Sequence, residues 1–347
     1  MFETAGGLLS IDLSIIQANY RRLCDELNGK NCSVVVKADA YGLGIEPVSK
    51  ALWEAGARTF FVALPDEGVE LRHILPDADI HILGGLFKGS ADVYTTHNLV
   101  PVLNSLEQIQ DWQNRARADI QVDTGMTRLG IAPQDIGQIP SGLNTDVLMS
   151  HFACADERDH PLSIQQIETF TQAVQQIEHT RASLCNSAGI FLGEKAHFDL
   201  GRPGCSLYGI NPTPHTTNPM QNPVHLQGKV IQVHEIDTQQ SVGYGATYKL
   251  HAGQKLATIA VGYADGYLRS LSSKATVYVE GQAAQVIGRV SMDAIGIDVS
   301  GMKCEEGQYV DVIGPNNTPD DLAKWAGTIG YEILTSLGRR YKRIYKG

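Results

Sequence analysis

Lys37 stands between a β-branched run and a glycine-rich segment, in Val34-Val-Val-Lys-Ala-Asp-Ala-Tyr-Gly-Leu-Gly. A partly desolvated lysine has a lowered pKa, and its neutral amine can bond covalently to a carbonyl carbon. A solvated lysine at a strand edge is the commoner situation in proteins. The glycines favour the chemical interpretation, because glycines after a strand let the backbone approach a ligand closely.

Two other segments are candidates for binding phosphate, Asn186-Ser-Ala-Gly and Gly201-Arg-Pro-Gly-Cys-Ser. Backbone amides of glycine-rich loops can bind phosphate without help from positive side chains. Neither segment is a P-loop, and the chain has no convincing G-x-G-x-x-G motif. Taken alone, each segment is also compatible with an ordinary turn.

Three polar residues complete the set of candidates. They are Arg128 in Asp123-Thr-Gly-Met-Thr-Arg-Leu-Gly, His151 in Ser150-His-Phe-Ala, and Tyr244 in Val242-Gly-Tyr-Gly-Ala-Thr-Tyr. A single histidine after a strand is more often packed than catalytic. A tyrosine usually contributes core area and one hydrogen bond. These residues therefore need a structural context before they indicate a function.

The first 210 residues supply that context, because short apolar runs alternate with amphipathic stretches. The patterns predict strands at residues 33–36, 58–63, 79–83, 99–103, 118–122 and 147–150, and helices at 46–54, 66–71 and 163–178. Such alternation is typical of parallel β/α units. At least six strands over about 200 residues favour a (β/α)₈ barrel. The carboxyl ends of barrel strands form the active-site face, and Lys37 lies at one of them.

The pattern changes after residue 223, where β-rich runs are separated by glycine-rich turns with little helix. Residues 211–219, dense in proline and polar residues, read as a linker. We therefore predict two domains, a barrel at residues 1–223 and a mostly β domain at residues 224–347.

Composition narrows the range of partners. A net charge of −10 disfavours nucleic acid and acidic membranes, which require clustered Lys and Arg. The six cysteines are scattered and form no Cys-x-x-Cys pair, so we expect reduced thiols rather than disulfides or a zinc site. Neither a signal peptide nor an apolar run of membrane-spanning length is apparent. These features predict a cytoplasmic protein.

Taken together, the segments resemble the alanine racemase family over nearly the full chain. The most specific match is Val35-Val-Lys-Ala-Asp-Ala-Tyr-Gly-Leu-Gly, which is similar to that family's cofactor-lysine signature. Others follow in the family's order, including Arg202-Pro-Gly, Tyr244-Gly-Ala-Thr-Tyr, Gly262-Tyr-Ala-Asp-Gly and Gly288-Arg-Val-Ser-Met-Asp. The resemblance implies an eight-stranded barrel, a β domain, pyridoxal 5′-phosphate (PLP) as cofactor and alanine as substrate. It also implies a head-to-tail homodimer in which the C-terminal domain of one subunit completes the site of the other.

The resemblance also implies a role for each candidate residue. Lys37 would bind the cofactor covalently, His151 would lie beside the ring with Asn186 nearby, and Arg202 would hydrogen-bond the pyridine nitrogen. The phosphate would be held by Tyr41, Ser187, Gly204, Cys205 and Tyr331. Arg128 would contact the phenolic oxygen and the substrate carboxylate, Met292 would offer that carboxylate its backbone amide, and Tyr263 would narrow the entrance.

Racemisation requires an acid/base on each face of the substrate α-carbon, and the resemblance implies Lys37 for one face and Tyr244 of the partner subunit for the other. Arg202 indicates the type of reaction. A guanidinium does not give up its proton, so the pyridine nitrogen opposite it stays unprotonated and is a weaker electron sink. A weaker sink favours racemisation over transamination.

Three alternatives share this fold or this chemistry. A PLP decarboxylase would usually place a carboxylate against the pyridine nitrogen, where this chain has Arg202. A non-catalytic PLP carrier would generally lack the second domain, and with it Tyr244. A serine racemase or a racemase of broad specificity remains open, because the signature residues serve the α-carbon and none of them reads the side chain.

Gln121 departs from the family's commonest pattern. The family often has a lysine seven residues before the counterpart of Arg128, carbamylated so that its negative charge orients the arginine. Glutamine cannot be carbamylated. We hypothesise that a hydrogen bond from Gln121, or a small anion such as chloride, orients Arg128 instead. Bicarbonate-dependent activity would argue against this hypothesis.

Overall fold

The computed structural model describes residues 4–347, and these form two compact units. The barrel unit is Ile16–Gln221, and the β unit joins the described residues up to Ile15 with Asn222–Gly347. The predicted first domain, residues 1–223, therefore needs correction at its beginning, and its residues 1–3 lie outside the described part. The reason is strand β1 (Gly7–Asp12), which pairs with β11 (Val224–Glu235) and β19 (Lys342–Lys346).

The barrel unit contains a parallel sheet whose strands follow one another in chain order. Its strands, numbered along the chain, are β3 (Val34–Val35), β4 (Thr59–Val62), β5 (Asp79–Ile82), β6 (Val100–Leu103), β7 (Ala118–Gln121), β8 (Thr145–Met149) and β9 (Arg181–Ser183). A parallel pair, β2 (Asn31–Cys32) and β10 (Leu200–Gly201), lies at the seam. The six strands predicted from the sequence are all present, whereas β9 and β10 are too short to stand out in the pattern.

The seam between the first and last strands is closed by backbone hydrogen bonds. Ser33 N donates to Gly201 O at 2.9 Å, and on the other side Arg202 N donates to Cys185 O at 3.0 Å. Strand β10 and the residue after it thus bond to the first strand of the barrel on one side and to the segment after β9 on the other. The sheet thereby becomes a ring of eight strands. The predicted (β/α)₈ barrel is confirmed.

Helices connect the barrel strands as the periodicity predicts. In α3, Ile45, Val48 and Leu52 are buried at helical spacing on one face. Between β7 and β8, residues 122–144 contain a single 3₁₀ helix, Pro133–Gln138, in place of an α-helix. The helices are α1 (Leu13–Glu26), α2 (Lys37–Gly42), α3 (Ile45–Glu54), α4 (Pro65–Ile74), α5 (Ala91–Thr96), α6 (Leu106–Trp112), α7 (Pro161–Gln176) and α8 (Glu194–His197). Among residues 4–347, every helix is too short or too polar to span a membrane.

The β unit is mostly β, as the sequence predicts, and its strands form an antiparallel barrel. Strand β11 pairs on one side with β14 and on the other with β18, so the ring β11-β14-β17-β16-β15-β18 closes on itself. Strands β12 and β13 form a separate hairpin, and two helices follow β18. The bounds are β12 (Gln240–Val242), β13 (Tyr248–Leu250), β14 (Lys255–Ile259), β15 (Thr276–Val279), β16 (Gln282–Ile287), β17 (Ile295–Asp298), β18 (Tyr309–Ile313), α9 (Pro319–Ala326) and α10 (Gly330–Thr335).

A network of charged side chains lies near the amino ends of the barrel strands. His81, in β5, is fully buried, and its Nδ1 lies 2.6 Å from a carboxylate oxygen of Asp119 in β7. Its Nε2 lies 3.0 Å from Asp79 Oδ2. Arg117 and Arg181 form ion pairs with Asp79 and with Asp146 of β8.

Protonation of His81 gives this network equal numbers of positive and negative charges. Burial alone would lower the pKa of His81, but Asp119 and Asp79 raise it to about 9. The positive charges of His81 and the two arginines then equal the negative charges of the three carboxylates. Ligand atoms of Asp79, His81 and Asp146 lie within 4.8 Å of one another, a spacing that would suit a metal ion. The two guanidinium groups on the same carboxylates supply the positive charge in its place.

Protonation of His81 predicts a pH-dependent stability of the barrel. The folded pKa, about 9, lies above the ordinary value of 6.5. The contribution of His81 is therefore fully present below pH 6.5 and is lost as the pH rises through about 9. We expect the urea midpoint of the wild-type protein to fall between pH 7 and 9.5, and the fall to be smaller in His81→Gln. Equal slopes in the two proteins would contradict a protonated His81.

Candidate functional site

Lys37 directly follows the first barrel strand, at its carboxyl end, as expected from the sequence. Its neighbour Val36 still bonds to the sheet, donating its amide to Phe61 O at 2.9 Å. The Lys37 side chain is half-buried. Burial lowers the pKa of its amine, Arg128 lowers it further, and Glu67 partly opposes the shift. The amine thus has the lowered pKa that its proposed chemistry requires.

The segment after Lys37 is a left-handed helical turn, which the sequence did not reveal. All four residues from Ala38 to Tyr41 have φ between 51° and 56° and ψ between 37° and 54°. Each non-glycine residue in this region costs about 1–2 kcal/mol, and such residues normally occur singly. A run of four indicates that surrounding contacts hold the chain here.

This backbone predicts an unusual response to glycine. Ala38→Gly removes a Cβ from a left-handed residue, so we expect the free energy of unfolding to stay constant or rise by up to about 1 kcal/mol. Ala51→Gly, in right-handed α3, should instead lower it by about 1 kcal/mol or more. Urea unfolding of both variants measures the difference. Equal destabilisation would be inconsistent with the left-handed turn.

The two glycine-rich loops meet, as predicted, beside Tyr41. The hydroxyl of Ser187 accepts the amide of Gly204 at 2.9 Å and that of Ser206 at 3.3 Å. A Cβ on Gly204 would collide with the Tyr41 hydroxyl, so glycine is required for this close approach. Cys205, which the resemblance also assigns to the phosphate, is buried and stands in the chain between Gly204 and Ser206. The loops thus concentrate amide and hydroxyl groups of the kind that hold a phosphate.

Arg202 is buried and fixed by its neighbours. Its guanidinium donates to the hydroxyl of Ser183 in β9 and to the carbonyl of Ser150 after β8. Burial lowers its pKa to about 10, so it still carries its charge at neutral pH. Ser150 precedes His151, whose Nε2 lies 3.4 Å from Asn186 Nδ2. The predicted ring-binding residues therefore share one end of the barrel.

His151 lies among cationic side chains at this end of the barrel. Burial, followed by the charges of Arg202, Arg128 and Lys37, lowers the pKa of His151 to about 3. A neutral histidine among three cationic side chains is the environment expected where the natural ligand brings negative charge. The site therefore fits an anionic ligand, such as a phosphate ester that also carries a phenolate.

Gln121 is connected to the Arg128 loop through the backbone. Its side-chain Nε2 donates to the carbonyl of Leu129 at 3.0 Å, and its own carbonyl accepts the amide of Ile131 at 2.8 Å. The hydrogen bond that we hypothesised falls on the residue next to Arg128 rather than on its guanidinium. These two bonds hold the loop that carries Arg128 against the end of β7.

In the β unit, the segments that carry Tyr263 and Met292 lie side by side. Tyr263 N donates to Ser291 O at 3.0 Å, and Ala264 N donates to Met292 O at 2.9 Å. Both Tyr263 and Met292 are exposed. The predicted substrate residues of this unit thus belong to one surface.

Arg340, which the sequence analysis did not select, forms ion pairs with both of these segments. Arg340 Nη1 lies 2.6 Å from Asp293 and its Nε 3.1 Å from Asp265. Asp265 also accepts the amide of Gly262 at 2.8 Å. Arg340 lies far along the chain from both aspartates, and an arginine among surface charges carries no local signal.

Tyr244 lies in the turn of the β12–β13 hairpin and is 71% exposed. A Cβ on Gly245 would lie 2.9 Å from a guanidinium nitrogen of Arg289, so that arginine packs against the turn. Arg289 is a second residue that sequence reasoning did not select. Tyr331, in α10, is 39% exposed.

The structure thus sorts the predicted site residues into two groups. The barrel unit contains Lys37, Tyr41, Arg128, His151, Asn186, Ser187, Arg202, Gly204 and Cys205. The β unit contains Tyr244, Tyr263, Met292 and Tyr331.

Comparison with known proteins identifies this arrangement. The family model of the alanine racemase N-terminal domain matches residues 11–212, and that of the alanine racemase C-terminal domain matches residues 223–345. The chain belongs to the alanine racemase family. The predicted family and enzyme class are therefore confirmed.

Individual alanine racemases match along their full lengths. That of Rhodospirillum rubrum is 46% identical, over 99% of this chain and 97% of its own. A catabolic alanine racemase of Mesorhizobium japonicum is 45% identical, over 99% of this chain and 94% of its own. The crystal structure of Bartonella henselae alanine racemase, with covalently bound pyridoxal phosphate, has a TM-score of 0.94 and 37% identity, covering 98% of this chain and 99% of its own. It confirms the predicted cofactor for the family.

Proposed function

We propose that this chain interconverts L-alanine and D-alanine with PLP bound covalently to Lys37. The observation that carries the proposal is the position of Lys37. This half-buried amine of lowered pKa follows a barrel strand, within a positively charged site that suits an anionic cofactor. Family membership supports the substrate.

The barrel residues have distinct tasks in this proposal. Tyr41, Ser187, Gly204 and Cys205 would hold the phosphate. Arg202, fixed by Ser183 and Ser150, would direct its guanidinium at the pyridine nitrogen and keep it unprotonated. When bound, PLP supplies the conjugated ring that accepts the charge left when the α-proton departs. Lys37 would carry that proton on one face of the α-carbon.

We further propose that Tyr244 carries the proton on the opposite face, contributed by the β unit of a second copy of the chain. Tyr244, Tyr263 and Met292 are exposed in the single chain, which leaves them available to a partner. In a two-fold dimer, each barrel site would then receive these residues from the other subunit.

A mixing experiment tests the shared site. Lys37→Ala and Tyr244→Phe are expected to be inactive separately, and each mixed dimer would contain one intact site. Unfolding and refolding the two together should restore up to about one quarter of the wild-type activity. A mixture that stays inactive, although sedimentation shows dimers, would contradict completion of the site by the partner.

Tyr244→Phe also tests the two-base scheme, because it removes only the hydroxyl. Proton removal from one enantiomer should slow by about 10²–10⁴-fold, and much less from the other. Exchange of the α-proton of L-alanine and D-alanine in deuterated water, followed by NMR, measures both directions. Tyr248→Phe, in the neighbouring strand β13, is the matched control. A symmetric loss would rule out separate bases for the two faces.

The side-chain specificity is a separate question, and a serine or broad-specificity racemase is the second candidate. Incubation with PLP and either L-alanine or L-serine in deuterated water distinguishes these possibilities. We expect racemised, α-deuterated alanine to accumulate faster than serine. Loss of carboxylate would instead indicate a decarboxylase, and unchanged amino acids a carrier.

We also propose a physiological role, the supply of D-alanine for peptidoglycan, in the cytoplasm. All six cysteines are free thiols, which is consistent with a reducing compartment. Rescue of a D-alanine auxotroph by the wild-type chain, with no rescue by Lys37→Ala, is the expected result.

A further inference from the structure

We propose that Glu67 is a positioning residue for Lys37, acting through the left-handed turn that follows it. The inference rests on the proposed function of Lys37. It extends the site to α4, whose residues have no part in the roles described above.

The carboxylate of Glu67 binds three backbone amides. Its Oε1 accepts the amide of Ala38 at 2.6 Å, and its Oε2 accepts those of Ala63 at 2.8 Å and Leu64 at 3.0 Å. The bonds to Ala63 and Leu64 lie at the beginning of α4 and form an ordinary helix cap. The bond to Ala38 is different, because it spans 29 residues of sequence and ends on the residue next to Lys37.

Ala38 is also the first residue of the left-handed turn. A separate restraint joins the turn to the beginning of α3, since Asp39 accepts the amide of Ile45 on its side chain at 2.7 Å and that of Gly44 on its carbonyl at 2.9 Å. Glu67 supplies the corresponding restraint at the near end. A hydrogen bond to a charged acceptor is stronger than one to a neutral acceptor, so the bond to Glu67 can offset part of the cost of a left-handed residue. By fixing the peptide between Lys37 and Ala38, Glu67 fixes the direction in which Lys37 leaves the backbone.

Glu67 also contributes charge. The charged and titratable groups that act with Lys37 are Arg128, His151 and Glu67. His151 is neutral at physiological pH, so Arg128 and Glu67 act on the amine with opposite signs. Burial and Arg128 lower the pKa of Lys37, and Glu67 raises it. Neutralising Glu67 should therefore lower the Lys37 pKa further while weakening the bond to Ala38.

The test uses the full-length protein without added cofactor. In Glu67→Gln, we expect hydrogen exchange at the Ala38 amide to accelerate by about tenfold or more. We also expect the pH dependence of Lys37 acetylation by acetic anhydride, followed by mass spectrometry, to shift to lower pH. Glu46→Gln, which removes an exposed carboxylate of α3 paired with Lys50, is the matched control. Unchanged exchange and an unchanged acetylation profile would overturn the proposal.

A second variant covers the case in which Glu67→Gln fails to fold. Glu67→Asp keeps the charge but shortens the side chain, so we expect faster exchange at Ala38 with an acetylation profile close to wild type. Wild-type exchange at Ala38 in this variant would overturn the positioning role. Neither readout depends on PLP or alanine, so a failure of the proposed function would appear separately, as a folded protein that neither binds PLP nor racemises alanine.

Discussion

Replacing Lys37 by alanine is expected to reduce the rate of alanine racemisation by more than about 10⁴-fold. The substitution removes the amine that would anchor the cofactor and the group that would move the proton on one face. It should also abolish the visible absorbance that the protein acquires on incubation with PLP and gel filtration. Production of D-alanine and the absorbance spectrum are the two measurements.

The control for this prediction is another lysine of the barrel unit. Lys50→Ala removes an exposed lysine of α3 that pairs with Glu46 on the same helix, at 2.7 Å. Its activity and absorbance should match those of the wild type. A visible band that persists in Lys37→Ala would disprove the cofactor assignment, whatever the remaining activity.

The largest expected effect on stability comes from the buried network at the other end of the barrel strands. Asp119→Ala would leave His81 buried without its closest carboxylate, which lies 2.6 Å from its Nδ1. It would also remove the acceptor of the Val147 amide, at 3.0 Å. Breaking one partner of a buried ion pair costs about 3–5 kcal/mol, because the remaining charge is left uncompensated.

Urea unfolding followed by tryptophan fluorescence measures this cost, since Trp53 and Trp112 both lie in the barrel unit. Asp92→Ala provides the comparison, because the Asp92 side chain is 90% exposed in its pair with Arg115. A surface pair contributes about 0–1 kcal/mol. If Asp119→Ala were no more destabilising than Asp92→Ala, the network would not support the barrel as described.

Lys37 and the buried network around His81 lie at opposite ends of the barrel strands. At the carboxyl ends, burial, followed by the charges of neighbouring cationic side chains, lowers the pKa values of Lys37 and His151. At the amino ends, acids and bases pair with one another, and the charges balance. The buried ion pairs thus lie away from the end that would bind a ligand, which is the usual division between the functional and the stabilising face of this fold.

Candidate site residues could be proposed from the sequence because the motifs that carry them depend on local order along the chain. Lys37 after a β-branched run, the two glycine-rich loops and the change to β-rich pattern near residue 223 are all local features. Their arrangement also led to the correct barrel, since alternating strands and helices restrict the possible topologies. The domain division was less accurate, because the partners of β1 lie more than 200 residues away.

Tertiary structure alone decided the environment of those residues. The left-handed turn after Lys37 is formed by residues with no preference for that conformation, and Glu67, 29 positions beyond Ala38, contributes a bond that helps to hold it. The charge state of His81 depends on its burial and on two carboxylates, of which Asp119 is brought to it from β7 by the folded barrel. Sequence therefore determined which groups are present and in what order. Packing determined their conformation and charge, because both depend on contacts between distant parts of the chain.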